Sequence, residues 1–294
     1  MSTILWLGAH KTGTTFLQKC LDLSQPALRR HGIYYMELDE FRTKYGRPLL
    51  NRDGSSPAPN EFSPDWAEHV LVFDENIPGY VQHAVSPKGF YPAMTERADT
   101  ITDFLGIRPD EIVFGIRSYD GYLPSLYCET LKSTAFKRFD EYVATAFASR
   151  LRKPADISDM STFERLNWKR LLARLARHYP AARVRVYLHE QLRGHESELL
   201  AETIGLPADE VDLLRESERV GFSGDAVRRL HEIADERTVE LRDVRRVVRK
   251  FPSGPDHPSF NPFDDAERAW FRARYAEHVE ALRNDDRFDV IELG

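Results

Sequence analysis

The sequence predicts an α/β fold: a central, mainly parallel sheet flanked by helices, with a C-terminal part that is mainly helical. Three observations predict it. An apolar, β-prone run at residues 3–7, TILWL, ends at Gly8 and is followed by a helical apolar period across 14–30. Similar apolar runs recur at 69–76, 111–117 and 182–188, with helix-like periodicity in the intervals. From residue 195 onward the pattern is helical almost throughout, over 195–204, 208–215, 223–249 and 264–283.

Taken in order, the first unit is strand, glycine-bearing loop and helix. Phe16, Leu17, Cys20, Leu21, Leu23 and Leu28 form the apolar stripe that packs this helix on a sheet. Residues 42–65 are rich in Pro, Gly, Asn, Asp and Ser and read as a long surface loop, a plausible wall for a substrate. HVLVFDEN (69–76) is a second strand with a polar end, and 93–105 is a helix. EIVFGIR (111–117) is a third strand, followed by a helix from about Tyr122 to Leu131. Helical patterns at 138–150 and 161–178 precede the strand ARVRVYL (182–188). The prolines of FPSGPDHPSFNPF (251–263) rule out a helix there and suit a lid. With no internal repeat or linker, 1–294 is expected to be a single domain.

A net charge of −6 argues against a general binder of nucleic acid or anionic membrane, so an anionic ligand needs a local basic site. Cys20 and Cys128 are the only cysteines, which suits a reducing compartment, and no Cys/His cluster suggests a metal. MSTILWLG is too short and lacks the basic flank of a signal peptide, and no apolar stretch approaches the ~20 residues of a membrane span. A cytoplasmic protein is expected.

The first strand–helix junction reads GAHKTGTTFLQ, residues 8–18. A glycine loop opening a helix turns backbone N–H groups and the positive helix end toward an anion. Gly8-x4-Gly13 has P-loop spacing, but lysine does not follow the second glycine; Thr14 and Thr15 do, and the lysine stands earlier, at Lys11. The plain alternative is a turn that caps the helix with Thr12 or Thr14.

Strand, then Lys11-Thr12-Gly13-Thr14-Thr15-Phe16, resembles the 5′-phosphosulfate-binding loop of the sulfotransferase superfamily, in particular its bacterial and carbohydrate-type members. His10, Thr12 and Phe16 stand where cytosolic sulfotransferases usually carry proline, serine and tryptophan. The resemblance implies a P-loop-like sulfotransferase fold and 3′-phosphoadenylyl sulfate (PAPS) as donor, leaving as 3′,5′-adenosine bisphosphate (PAP). It implies that His10 through Phe16 bind that donor.

The third strand carries an independent part of the same resemblance. Arg117 ends the strand and Ser125 follows eight residues later, the form of the family's 3′-phosphate motif. A guanidinium fork suits phosphate because it donates two parallel hydrogen bonds. Taken alone, Arg117 is equally a solvated strand end. At the end of the second strand, Glu75 matches the catalytic base of carbohydrate-type members, with Asp74 as the near alternative and an ordinary turn before Pro78-Gly79 as the bland one. His31, His69 and His83 stay open as bases because small-molecule sulfotransferases use histidine.

Three further places carry weaker signals. His189 stands where many relatives have tyrosine, and Glu190 follows it. Arg249-Lys250 resembles the start of the family's Arg-Lys-Gly loop and is a second 3′-phosphate candidate, although arginines along 237–250 also suit a solvated helix face. The expected reaction is sulfuryl transfer to a small-molecule or carbohydrate acceptor without a metal. Its rivals are a Mg-ATP-dependent kinase or NTPase, which would use Asp74, and a non-catalytic nucleotide-binding relative.

Overall fold

The computed structural model describes residues 1–51, 55–60, 62, 64–133, 135–147, 160–214 and 221–294. The chain opens with β1 (Ser2–Trp6), α1 (Thr14–Leu23) and α2 (Gln25–Arg30), followed by β2 (Ile33–Tyr35). The helix expected over 14–30 is thus two helices broken at Ser24. Pro26 lacks the N–H that would continue the ladder, and the Ser24 N–H closes onto the Cys20 and Leu21 carbonyls.

The loop expected from residue 42 is helical as far as residue 50. α3 (Leu38–Phe41) widens into a π turn over Arg42–Gly46 and resumes as α4 (Arg47–Leu50). Pro48 is tolerated because it sits in the first turn of α4. The second strand, β3 (His69–Phe73), is shorter than its apolar run and releases Asp74 and Glu75 into the following turn.

A small hairpin follows, β4 (Val85–Ser86) and β5 (Gly89–Phe90), then α5 (Met94–Leu105), β6 (Glu111–Ile116) and α6 (Tyr119–Thr130). α7 (Phe139–Phe147) matches the helix expected over 138–150, of which 148–150 lie outside the described residues, whereas the helix expected over 161–178 is a 3₁₀ turn at Met160–Phe163 and α8 (Trp168–His178), which starts at the Asn167 cap. β7 (Arg183–Leu188), α9 (His189–Leu192) and α10 (Glu196–Ile204) come next. The helix expected over 208–215 is a single 3₁₀ turn at Ala208–Glu210, with residue 215 outside the described set.

The long helix expected over 223–249 is also two, α11 (Gly224–Glu236) and α12 (Leu241–Lys250). Arg237 is extended, and a capping box between Glu240 and Asp243 restarts the helix. α13 (Asp265–Arg283) opens on a second capping box, and β8 (Phe288–Ile291) closes the sheet. Neither β2 nor β8 was expected.

The sheet has six parallel strands in the order β2-β3-β1-β6-β7-β8. Both faces are covered, as parallel sheets require. Ile4, Trp6, Leu71, Phe73, Val113 and Tyr187 point to one face, against Leu17, Cys20 and Leu21 of α1 and Leu199 and Leu200 of α10. Leu5, Val70, Val72, Ile112, Phe114 and Val186 point to the other, against α5, α6, α8 and the C-terminal helices. No helix of the described residues is long and apolar enough to cross a membrane.

The strand order places the site. From β1 the chain goes to β2 at the sheet edge and returns to β3 between them, then crosses β1 to β6 and builds outward through β7 and β8. The gap between the carboxyl ends of β1 and β6 is therefore the topological switch point, where open α/β sheets hold ligands.

Candidate functional site

Four strand ends face this gap in spatial order: Glu75 after β3, the 8–13 loop after β1, Arg117 after β6 and His189 after β7. The loop is pinned to the sheet because the Leu7 N–H donates to Val113 O (3.0 Å) and the Ala9 N–H to Gly115 O (3.3 Å). Gly13 has φ +92°, and a Cβ there would come within 2.4 Å of Leu192. Gly115 is equally constrained: a Cβ would stand 2.3 Å from the Tyr187 ring, whose hydroxyl meets Thr12 Oγ1 at 3.3 Å. Both positions need glycine for close approach of packed elements.

Lys11, Gly13, Thr14, Thr15, Phe16, Lys19, Arg117, Ser125 and His189 line a cavity of about 260 Å³ with Leu214. Gly13 gives α1 no side-chain cap, so the helix presents its opening N–H groups to an anion. A second cavity of about 370 Å³ shares Lys11, Arg117 and Ser125, and adds Glu129, Lys132, Arg268 and the stretch Ser259, Phe260 and Asn261. The structure thus brings together Lys11, Gly13, Thr14, Thr15, Phe16, Arg117 and Ser125.

His10 and Thr12 turn away from the first cavity. Thr12 is fully buried and donates to the Ala9 carbonyl at 2.6 Å. The His10 backbone N–H and Nδ1 both meet the Tyr91 hydroxyl at 2.9 Å. Hydrogen-bond logic orients the Asn76 amide with its nitrogen toward His10 Nε2 (3.3 Å) and its oxygen toward Arg42 Nη2 (2.5 Å). Burial lowers the His10 pKa, with Glu75 beside it acting in the opposite sense.

Lys11 is the one charged residue of the loop and has φ +66°. Its Nζ donates to Glu129 Oε2 at 3.0 Å, and Lys132 Nζ reaches the same oxygen at 2.9 Å. Burial opposes the Glu129 charge, but the two lysines outweigh it and hold the carboxyl at about 2. Arg117 Nη1 donates to the Lys11 carbonyl at 3.0 Å, tying the 8–13 loop and the end of β6 into one unit.

Glu75 is buried and ionised. Gln18 Nε2 donates to Oε2 at 2.9 Å and Arg42 Nη2 to Oε1 at 3.0 Å. Burial alone would raise its pKa; Arg42, His10 and Gln18 outweigh that and hold it below the ordinary value. Asp74 is more fully engaged, taking Arg42 Nε and Nη2 at 3.1 and 2.6 Å and the Asn76 N–H at 2.9 Å. The π turn at Arg42–Gly46 carries the arginine that orders both carboxylates, and such turns recur at functional sites.

The remaining candidates fall elsewhere. His31 pairs with Glu210 (3.1 Å) and His69 with the Ser2 hydroxyl (2.6 Å). His83 lines a separate, larger cavity. Glu190 accepts from the Ser118 N–H (2.8 Å) and the Tyr275 hydroxyl (2.9 Å), a tie between β6 and α13. Arg249 and Lys250 are exposed at the end of α12, while residues 259–261 beyond them supply wall to the second cavity.

The sequence reading missed Glu129, Lys132, Arg42, Gln18 and Arg268. Glu129 had a signal: it lies one helical turn beyond Ser125 and therefore on the same face. His189 Nδ1 is buried beside Gly13 with no hydrogen-bond partner, and burial, with Arg117 and Lys11 nearby, lowers its pKa to about 4. It is a neutral group with an open hydrogen-bonding position in the cavity wall. No protein-family model matches the chain, and no curated protein does either.

Proposed function

We propose that this chain is a single-domain sulfotransferase of the P-loop-like type, with PAPS as donor. One observation carries the reading: Lys11, Arg117 and Ser125, from two segments that each resemble a donor-binding motif, line one cavity at the β1/β6 switch point. That cavity gathers Lys11, Lys19 and Arg117, and no aspartate or glutamate is among its described lining residues. This chemistry suits a nucleotide with phosphate at both ends of its ribose.

In the proposed step the acceptor oxygen attacks sulfur in line. The bond from sulfur to the 5′-phosphate oxygen breaks, its electron pair stays on the phosphate, and PAP leaves. The acceptor proton passes to Glu75, which stands ionised at the neighbouring strand end. Lys11 and the N–H groups of α1 stabilise the charge growing on the leaving phosphate. Arg117 and Ser125 grip the 3′-phosphate, and His189 offers Nδ1 to the nucleoside. Glu129 holds Lys11 until the donor's negative charge competes for it. The engagement of Asp74 by Arg42 and Asn76 disfavours the ATP-dependent kinase reading, which needs that carboxylate elsewhere.

Transfer of ³⁵S from labelled PAPS, followed in variants, tests these roles. Lys11→Ala is expected to lower kcat by roughly 10²-fold or more. Arg117→Ala is expected to raise the PAP dissociation constant by roughly 10–100-fold through loss of charge-assisted hydrogen bonds. A Lys11→Ala protein that transfers at the wild-type rate contradicts the mechanism.

A further inference from the structure

Two carboxylates that follow β3 share one arginine, and they share it unequally. Arg42 Nε lies 3.1 Å from both Asp74 oxygens, and Nη2 lies 2.6 Å from Asp74 Oδ1 but 3.0 Å from Glu75 Oε1. Asp74 also accepts the Asn76 N–H at 2.9 Å, so each hydrogen bond it makes is to a donor and its ionised form is the one that fits. Its side chain is 1% exposed, against 11% for Glu75, which leaves Glu75 alone able to meet a substrate. The turn that carries both does not depend on the arginine. The Ile77 N–H closes onto the Asp74 carbonyl at 3.1 Å, and Arg97 donates to the Asn76 and Ile77 carbonyls, both at 2.9 Å.

A base in this position faces two demands. It must be ionised in a buried setting, which needs a nearby cation, yet a carboxylate fully paired with a guanidinium takes up a proton poorly. Dividing Arg42 between two carboxylates meets both. With Asp74 and Glu75 ionised the three side chains sum to −1, and a proton on Glu75 brings the sum to zero, so proton uptake relieves an excess of buried charge. Few other charges reach Glu75. Gln18 of α1 supplies a neutral donor at 2.9 Å. Tyr35 of β2, Tyr91 after β5 and Tyr187 of β7 lie within electrostatic reach, and burial raises the pKa of each, keeping them uncharged. At His10 of the phosphate loop, burial opposes a charge and Glu75 favours one.

We propose that Arg42 and Asp74 form a positioning pair for Glu75: Asp74 takes up most of the arginine, and the remaining hydrogen bond orients the Glu75 carboxylate without pairing it off. Arg42 keeps Glu75 ionised, and Asp74 keeps it basic. The role of Glu75 as base rests on the transferase reading above; the pair's hold on Glu75 does not.

The probe is the ¹³C-carboxyl resonance of Glu75, assigned by its loss in Glu75→Gln and titrated with pH, beside the pH profile of ³⁵S transfer and the PAP-induced rise in Tm. Arg42→Gln is expected to raise the Glu75 midpoint by about one pH unit or more, and Arg42→Lys, which keeps the charge, by less. Asp74→Asn is expected to lower it, because Arg42 then turns wholly to Glu75. The acid limb of kcat/KM is expected to follow in each variant. The PAP shift is expected to persist, since Arg42 is not among the described residues that line the donor cavity. A side chain that merely supports the fold would lower activity without moving the midpoint in opposite directions. An unmoved midpoint in Arg42→Gln, or an upward one in Asp74→Asn, overturns the proposal. Should Arg42→Gln not fold, opposite movements in Arg42→Lys and Asp74→Asn uphold it and their absence overturns it. Opposite movements with no ³⁵S transfer and no PAP shift in any protein uphold the pair and sink the transferase reading instead. Transfer and a PAP shift with an unmoved midpoint sink the pair alone.

Discussion

At Lys11 the backbone is left-handed, a conformation that costs a residue with a side chain about 1–2 kcal/mol. The surrounding structure enforces it through the pinned loop and the Arg117 contact to the Lys11 carbonyl. Such strain concentrates where geometry serves a ligand. Glu75 makes the sharper prediction. Its carboxyl must be ionised to take a proton, and its pKa is held below 4.5. The His10 pKa is itself lowered from 6.5 by burial. The acid limb of kcat/KM is therefore expected below pH 4.5, with no inflection near 6.5, and a pH–rate profile of ³⁵S transfer checks it. A limb centred near 6.5 would move the base to a histidine. The sequence marked Lys11, Arg117 and Ser125 because each lies in a short local string that resembles a donor-binding motif. It did not mark Arg42, which meets Asp74 across 32 residues through a π turn that no apolar period announces.

Elements were legible where periodicity was long and broke down where one residue redirects the chain. β1, β3, β6 and β7 stood out because strands buried on both faces read as apolar runs. β2 and β8, with three and four residues at the sheet edges, are too short to show a pattern. Helical period continued through Ser24 and Arg237, where the backbone does not, because side chains on both sides of each break face the same core. α1 also carries an element-scale liability. Asp22 sits in its last turn, where the helix dipole disfavours a negative charge. Burial, with Glu37 and Asp39 nearby, raises the Asp22 pKa to about 6. The folded state thus prefers the protonated form: this contribution is fully present below the unfolded value of 3.8 and is lost as pH rises through about 6. A shift of that size discounted for solvent exposure amounts to roughly 1 kcal/mol. Asp22→Asn is accordingly expected to raise Tm by about 1–2 °C at pH 7 and by less at pH 4. An equal or larger gain at pH 4, measured by thermal unfolding, contradicts this account.

Over the whole molecule, net charge and local field have opposite signs. The chain carries −6, yet Lys11, Lys19 and Arg117 converge on the switch point of a six-stranded parallel sheet. The fold creates this contrast by bringing the carboxyl ends of β1 and β6 together, although more than 100 residues separate them in sequence. A site of this kind is expected to bind a doubly phosphorylated nucleoside and to be stabilised by it. The direct test is thermal unfolding with PAP, with and without EDTA, compared with ATP and Mg²⁺. At 100 times its dissociation constant PAP adds roughly 2.7 kcal/mol, a rise in Tm of about 4 °C. The donor-site reading predicts that rise with PAP, undiminished by EDTA and cut to about half or less in Arg117→Ala at the same PAP concentration. No rise with PAP, together with a clear one from ATP and Mg²⁺, would contradict it.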